Sequence, residues 1–200
     1  MTSWQAFDEQ RIRFEFDTDT WLPIKWDDAV EFTGPTGIRK LNGELTDTAR
    51  NIKLPQGTRG VDFIGLRADS LYLFEVKDFR DYAAENTHRQ EVELPLEIGL
   101  KVRDTLAGLV GAHRINPTSW TERAVAVLAA RQRPVTVIAW IVEDRPQSSQ
   151  HRRVHAKTSN VRTHQLQERL AWLTRLAWVD DPLDPYIELP GIRACTIRTP

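Results

Sequence analysis

Cysteine is nearly absent from this chain of 200 residues, in which Cys195 is the single example. One cysteine cannot form an intrachain disulfide, and it cannot supply the paired thiolates of a CxxC metal site. Proteins without disulfides are typical of reducing compartments. We therefore expect a cytoplasmic protein.

Long apolar runs are also missing. The two longest, 124–130 and 135–142, fall far short of the ~20 residues that a membrane-spanning helix needs. The N-terminal sequence MTSWQAFDEQ is acidic and lacks the basic start and apolar stretch of a secretory signal. We therefore expect neither a membrane contact nor a cleaved leader.

Net charge is small, at −1, but the charges are unevenly distributed. Segment 145–175 is strongly basic and contains one acid, Glu168, whereas the first 32 residues are acidic. A basic segment in a neutral chain predicts a surface that faces nucleic-acid phosphates, although a solvated helix face is the alternative interpretation. The side chains that we assign to nucleic-acid binding are Arg152, Arg153, Lys157, Arg162 and Arg169.

Hydrophobic periodicity predicts an α/β (α+β) protein with a mixed central sheet flanked by helices. Apolar side chains alternate in strand 11–17, and Pro23 places segment 21–26 at a sheet edge. We expect one domain over 1–200, with a core at about 37–144, and with strands 11–32 and a basic helix 158–178 as decorations. The remaining predicted elements are helices 37–51, 94–113 and 119–133, hairpin 60–81 and a buried strand at 134–142.

The predicted hairpin has an unusual composition. Residues 60–81 read GVDFIGLRADSLYLFEVKDFRD, and this β-prone stretch carries Asp62, Glu75 and Lys77. If Ala68 and Asp69 form a two-residue turn, Asp62 lies opposite Glu75 on the same face. Lys77 shares that face because side chains alternate along a strand.

Two facing carboxylates repel, and one takes up a proton unless a cation lies between them. Mg²⁺ prefers one or two carboxylates together with water and phosphate oxygens. A nearby lysine can hold a water molecule and stabilise an anionic transition state. The alternative is a simple cross-strand ion pair on an exposed sheet face, which stabilises by about 0.2–1 kcal/mol.

Asp62 and the tripeptide Glu75–Val76–Lys77 resemble the motif of the PD-(D/E)XK nuclease superfamily, which includes restriction enzymes and Holliday-junction resolvases. The resemblance covers about 37–144 and implies a restriction-endonuclease-like αβββαβ core. It also implies that Asp62, Glu75 and the Val76 carbonyl hold Mg²⁺ or Mn²⁺, and that Lys77 assists the attacking water. Glu44, on the preceding helix, would complete the acid cluster.

The resemblance implies a Mg²⁺-dependent endonuclease, a phosphodiesterase that hydrolyses nucleic acid, for which we expect DNA. Expected partners are DNA, a second copy of the chain as a homodimer, and a protein of a defence or repair system. One alternative is a catalytically inactive nucleic-acid-binding or protein-assembly module of the same fold. Another is an interaction module that uses Trp4, Trp21 and Trp26 in the acidic N-terminal part.

Two further assignments concern single residues. Lys101 has the i, i+4 spacing to pair with Glu97 on helix 94–113, although it could also contact phosphate. Trp140, Trp172 and Trp178 lie in apolar patterns, so we assign them to the core.

Overall fold

The computed structural model describes residues 2–33, 59–81, 93–144 and 149–197, and it leaves the side chains of residue 30 and residues 149–157 undescribed. Glu44 and the predicted helix 37–51 therefore lie outside the described residues. Within this part of the chain no helix is both long enough and apolar enough to span a bilayer.

The strands form two sheets. A five-stranded sheet has the order β3-β4-β5-β6-β7, and a three-stranded sheet has the order β1-β2-β8. The five-stranded sheet is mixed, because β3, β4 and β5 run antiparallel whereas β5, β6 and β7 run parallel. The strands are β1 Trp4–Glu9, β2 Ile12–Asp17, β3 Leu22–Lys25, β4 Phe63–Arg67, β5 Ser70–Asp78, β6 Val135–Val142, β7 Ala177–Asp180 and β8 Ile192–Thr196.

Four helices accompany the sheets in the described part of the chain: α1 Val30–Thr33, α2 Leu94–Ile115, α3 Ser119–Ala129 and α4 Ser149–Arg169. Side chains of α2, α3 and α4 pack on one face of the five-stranded sheet and form an aliphatic core. The mixed α/β class is thus confirmed. Strand β6, which lies between β5 and β7, is buried at every position, as its almost wholly apolar sequence predicts.

The other face of the five-stranded sheet packs against the three-stranded sheet through aromatic rings. Trp140 stacks between Phe14 and Phe74, with ring centroids 4.6 Å and 4.4 Å away. Trp21 and Trp26 are also buried and Trp4 is partly exposed, so the three do not together form the partner surface considered from the sequence. The assignment of Trp172 to the core is wrong. The residue is 59% exposed, because it lies in the turn after α4 rather than within the predicted helix.

The β4–β5 hairpin confirms the predicted register. Arg67 pairs with Ser70 and Phe63 pairs with Phe74, so Ala68 and Asp69 form the two-residue turn. Ala68 has a φ of 48°, in the left-handed region that such hairpin turns require. Residues 62 and 75 therefore face each other, one position beyond the last paired residues.

The C-terminal part differs from the expected basic helix at 158–178. Helix α4 runs over Ser149–Arg169, and Ala177–Asp180 forms strand β7 at the edge of the central sheet. Ala177 and Val179 are buried while Trp178 is only partly buried, which is the period of a strand. Because Leu170 and Ala177 also match a helical repeat, the sequence pattern suggested one continuous helix.

A charged cluster fastens the β1–β2 turn to the end of β5. The Arg11 guanidinium donates to both oxygens of Asp78 at 2.7 Å and 2.9 Å, and Arg80 also donates to both. Burial alone would raise the pKa of Asp78, but hydrogen bonds from Arg80 and Arg11 outweigh it and lower the pKa to about 2. The pair of arginines therefore stabilises the ionised carboxylate.

We expect Asp78→Asn to lower the free energy of unfolding by about 2 kcal/mol at pH 7, because bonds to a charged group are lost. Because the pKa of Asp78 is lower in the folded than in the unfolded chain, its carboxylate stabilises the fold above the ordinary value near 3.8. This stabilisation is lost as the pH falls towards 2. The deficit should thus shrink between pH 4 and pH 2 in urea unfolding curves. Asp69→Asn, at a 79% exposed side chain, is the control; equal Asp78→Asn deficits at pH 7 and pH 2.5 would contradict the prediction.

Candidate functional site

The end of the β4–β5 hairpin brings together the two acids predicted from the sequence. Asp62 directly precedes β4, and its Oδ2 accepts a 2.6 Å hydrogen bond from the Val76 backbone N–H. Glu75 lies on β5 and is 1% exposed, and Asp62 is 6% exposed. The antiparallel ladder ends at Phe63 and Phe74, so the Asp62 carboxylate satisfies a backbone donor on the free edge of β5.

Two lysines contact the buried glutamate. Lys77 Nζ lies 3.0 Å from Glu75 Oε1 and 3.0 Å from Glu97 Oε1. Lys101 Nζ lies 2.6 Å from Glu75 Oε1 and 3.7 Å from Asp62 Oδ1. Asp62, Glu75 and Lys77 thus share one face of the sheet, as predicted, and helix α2 covers that face.

Lys101 is the residue that the sequence assignment misjudged. The sequence predicted an i, i+4 pair between Lys101 and Glu97. In the structure Glu97 accepts from Lys77 instead, and the Lys101 ammonium lies against Glu75 and near Asp62. A sequence signal was available: positions 97 and 101 border the buried stripe of α2 formed by Leu94, Ile98 and Val102. A long side chain at such a border can reach the sheet, and the packing of α2 decides which acid it meets.

A second set of acids comes from the N-terminal part of the chain. Glu9, at the end of β1, and Asp27, after β3, each place a carboxylate oxygen within 4.8 Å of one another and of an oxygen of Asp62. Lys25 lies 3.4 Å from Glu9. No pattern in the sequence links residue 9 to residue 62, so only the docking of the N-terminal hairpin shows this contact.

Gln10 closes the remaining edge of β5. Its Nε2 donates to the Val76 carbonyl at 3.4 Å, and its Oε1 accepts from the Asp78 N–H at 2.7 Å. The side-chain amide therefore replaces a neighbouring strand. The Val76 carbonyl, predicted as a metal ligand, faces Gln10 and retains the second lone pair of a carbonyl oxygen.

Burial and mutual repulsion raise the pKa values of the acids. Burial, followed by the nearby Asp62 charge, raises the pKa of Glu75 to about 7 against the attraction of Lys101 and Lys77. The same two causes raise the pKa of Asp27 to about 6 and raise that of Glu9. Burial also raises the pKa of Asp62. The cluster therefore favours additional positive charge.

One carboxylate oxygen of Glu75 has no hydrogen-bond partner. Glu75 Oε2 is buried and unpaired, although Oε1 accepts from two ammonium groups. A buried carboxylate oxygen without a partner is costly, and such atoms usually contact water or an ion. The donor set of carboxylates and a backbone carbonyl suits a hard divalent cation such as Mg²⁺ or Mn²⁺.

The side chains assigned to nucleic-acid binding from the sequence lie in different environments. Arg152, Arg153 and Lys157 lie on the first half of α4, where side chains are not described. Arg162 is 5% exposed and pairs with Glu143 at 2.9 Å, so its assignment to phosphate is wrong. It faces inward because α4 packs through neighbouring Leu166.

Arg169 is exposed, as predicted, and lines a surface groove between α2 and the turn after α4. The groove joins apolar surface to two arginines and an exposed indole. Its lining residues are Leu96, Gly99, Leu100, Arg103, Arg169 and Trp172.

The fold and these side chains define a mixed α/β protein with a buried cluster of acids and lysines. No protein-family model and no solved structure matches the chain. A cysteine–tRNA ligase of Neisseria meningitidis serogroup A / serotype 4A (strain DSM 15465 / Z2491) is 29% identical over 115 residues, which cover 52% of this chain. The chain spans only 16% of that ligase, so the similarity does not define a family.

Proposed function

We propose that this chain is a Mg²⁺-dependent nuclease of the PD-(D/E)XK type that hydrolyses phosphodiester bonds, with DNA as the expected substrate. The observation that carries the proposal is the convergence of Asp62, Glu75 and Lys77 on one buried face, where Glu75 Oε2 lacks a partner. Asp62 and Glu75 would hold the cation, assisted by the Val76 carbonyl.

The topology supports this proposal. Strands β3, β4 and β5 form an antiparallel meander, and α2 and α3 connect β5 to the parallel strand β6. A meander followed by a helical crossover corresponds to the end of the αβββαβ order. One strand departs from that order, because β3 precedes rather than follows the segment assigned to the first helix.

The charge balance of the cluster also supports a divalent cation. Among the described residues of the cluster, buried and half-buried carboxylates outnumber the ammonium groups, and a divalent ion adds the charge that repulsion between the acids favours. The carboxylates are those of Glu9, Asp27, Asp62, Glu75 and Glu97, and the ammonium groups are those of Lys25, Lys77 and Lys101.

A bound Mg²⁺ would supply a Lewis acid for the phosphoryl oxygen and lower the pKa of water. The chain itself contributes the orientation of the acids through the hairpin, and the fixed ammonium of Lys77. Burial lowers the pKa of Lys77, but Glu75 and Glu97 outweigh burial and raise it, so Lys77 is a cation at neutral pH. Its charge would hold the attacking water and stabilise charge that develops on the phosphate.

A groove on another side of α2 suits a nucleic acid. It combines Arg103 of α2 with Arg169 and the exposed indole of Trp172. An exposed aromatic ring between cations allows base stacking together with phosphate contacts, without sequence preference. Binding should therefore weaken steeply with salt concentration.

A catalytically inactive nucleic-acid-binding or assembly module is the second candidate. The observation in its favour is that Lys77 and Lys101 already neutralise Glu75 by direct contact. Such a module would bind nucleic acid but would gain no stability from metal.

The test measures melting temperature and cleavage together. We expect Mg²⁺ and Mn²⁺ to raise the melting temperature of the native protein and not that of Asp62→Ala, because a cation bound by the folded state stabilises it. The native protein should cut plasmid or single-stranded DNA or RNA in Mg²⁺ and stop when EDTA is added. Nucleic-acid binding without metal-linked stabilisation or cleavage would favour the inactive module instead.

A further inference from the structure

Lys101 occupies an unusual position for a lysine. Its ammonium touches Glu75 Oε1 at 2.6 Å and approaches Asp62 Oδ1 to 3.7 Å, and its side chain is 12% exposed. These are the two carboxylates to which the proposed function assigns the cation. One protein cation thus already lies between the two acids.

We propose that Lys101 is a resident counter-cation whose ammonium holds the metal-free site together and must leave the two carboxylates when a divalent cation binds there. This inference rests on the proposed function. It adds that a lysine of the chain competes with the metal for the two carboxylates and thereby lowers the affinity of the site for the metal.

The competition follows from space and charge. An ion held by the Glu75 and Asp62 carboxylates would need the space between them that the Lys101 ammonium occupies, and two cations at contact distance repel strongly where water is scarce. The lysine stem is long and flexible, so its ammonium can move outward without a shift of α2. Lys101 would then be a positioning residue for the acids, distinct from the role given to Lys77.

Lys77 provides a comparison within the same site. It contacts the same Glu75 oxygen at 3.0 Å, but Glu97 holds it at 3.0 Å from the other side. No contact of this kind joins Lys77 to Asp62 among the described residues. Its charge is thus shared with an acid outside the proposed metal ligands, and its removal should affect metal affinity less.

The experiment is calorimetric titration of chelator-stripped protein with MnCl₂, without nucleic acid. We expect Lys101→Met to bind Mn²⁺ at least about tenfold more tightly than the native protein, because a competing charge is gone. Lys77→Met should show a smaller gain. Arg114→Met, at an exposed side chain in the last turn of the same helix, should match the native protein.

Melting temperatures give an independent readout. Metal-free Lys101→Met should melt below the native protein, because two buried acids lose their shared cation, and Mn²⁺ should raise its melting temperature by more than it raises the native value. Lys101→Gln, which keeps a donor but no charge, should behave in the same way. If both variants fold only in Mn²⁺, the inference is supported; if they stay unfolded even in Mn²⁺, it is overturned.

The result separates this inference from the proposed function. Native protein that binds Mn²⁺ through Asp62, together with a Lys101→Met variant of equal or weaker affinity, would overturn the counter-cation role and leave the nuclease proposal in place. Absence of Mn²⁺ binding in both proteins would overturn the metal site itself. Binding by Lys101→Met alone, abolished by adding Asp62→Ala, would be the strongest support.

Discussion

Replacing Lys77 with methionine should slow nucleic-acid cleavage by about 10²–10³-fold and leave the Mn²⁺-induced rise in melting temperature in place. The expected loss is that of one fixed donor aimed at developing negative charge in a site that excludes water. Lys77 qualifies for this role because it is 18% exposed and is held by Glu75 and Glu97, each at 3.0 Å. Methionine keeps the length of the stem but removes the charge.

The measurement is a single-turnover cleavage assay with a labelled substrate in saturating Mg²⁺, paired with melting curves in Mn²⁺. Arg133→Met is the matched control, since Arg133 lies near the β4–β5 turn, 3.7 Å from Asp69 and away from the acids. A Lys77→Met protein that cuts as fast as the native one would refute the assigned role. Loss of the Mn²⁺ response would instead make Lys77 part of the metal site.

Trp140→Ala should lower the free energy of unfolding by about 3–5 kcal/mol, since it removes a buried ring that its neighbours cannot replace. Trp140 is 4% exposed and stacks on Phe14 of one sheet and on Phe74 of its own sheet. In a protein of this size the loss corresponds to about 6–20 °C in melting temperature. The three-stranded sheet should loosen first, because Trp140 joins it to the central sheet.

Trp172→Ala is the matched control for this prediction, because the same substitution is made at a 59% exposed indole. We expect its free energy of unfolding to change by less than about 0.5 kcal/mol. The two variants should be compared by urea unfolding at pH 7. Equal losses would mean that Trp172 is also packed in solution, and a small loss for Trp140→Ala would contradict the stacked arrangement between the sheets.

Docking of the N-terminal hairpin also affects the proposed site. The β1–β2 turn places Glu9 near Asp62, and Gln10 against Val76, while Arg11 is fixed by Asp78. Substitutions that loosen this hairpin should therefore weaken the site without touching its acids. The Asp78→Asn variant is the mildest such change, and Trp140→Ala is the most severe.

Local pattern was sufficient for the hairpin and its acids. The two-residue turn at Ala68 and Asp69 fixes the register, and alternation then places Asp62, Glu75 and Lys77 on one face whatever the rest of the chain does. The buried strand 135–142 was equally clear, because it is apolar at nearly every position. These features depend on neighbours in sequence, so a single sequence is enough to predict them.

Only the tertiary structure decided which distant groups complete the site. Lys101 points at Glu75 because α2 packs across the sheet at one particular angle, and Glu9 reaches Asp62 because two sheets stack through aromatic rings. Arg162 is buried because α4 packs inward at Leu166, and Trp172 is exposed because α4 ends before it, at Arg169. Packing between elements depends on the fit of whole surfaces, and no periodicity along the chain encodes that fit.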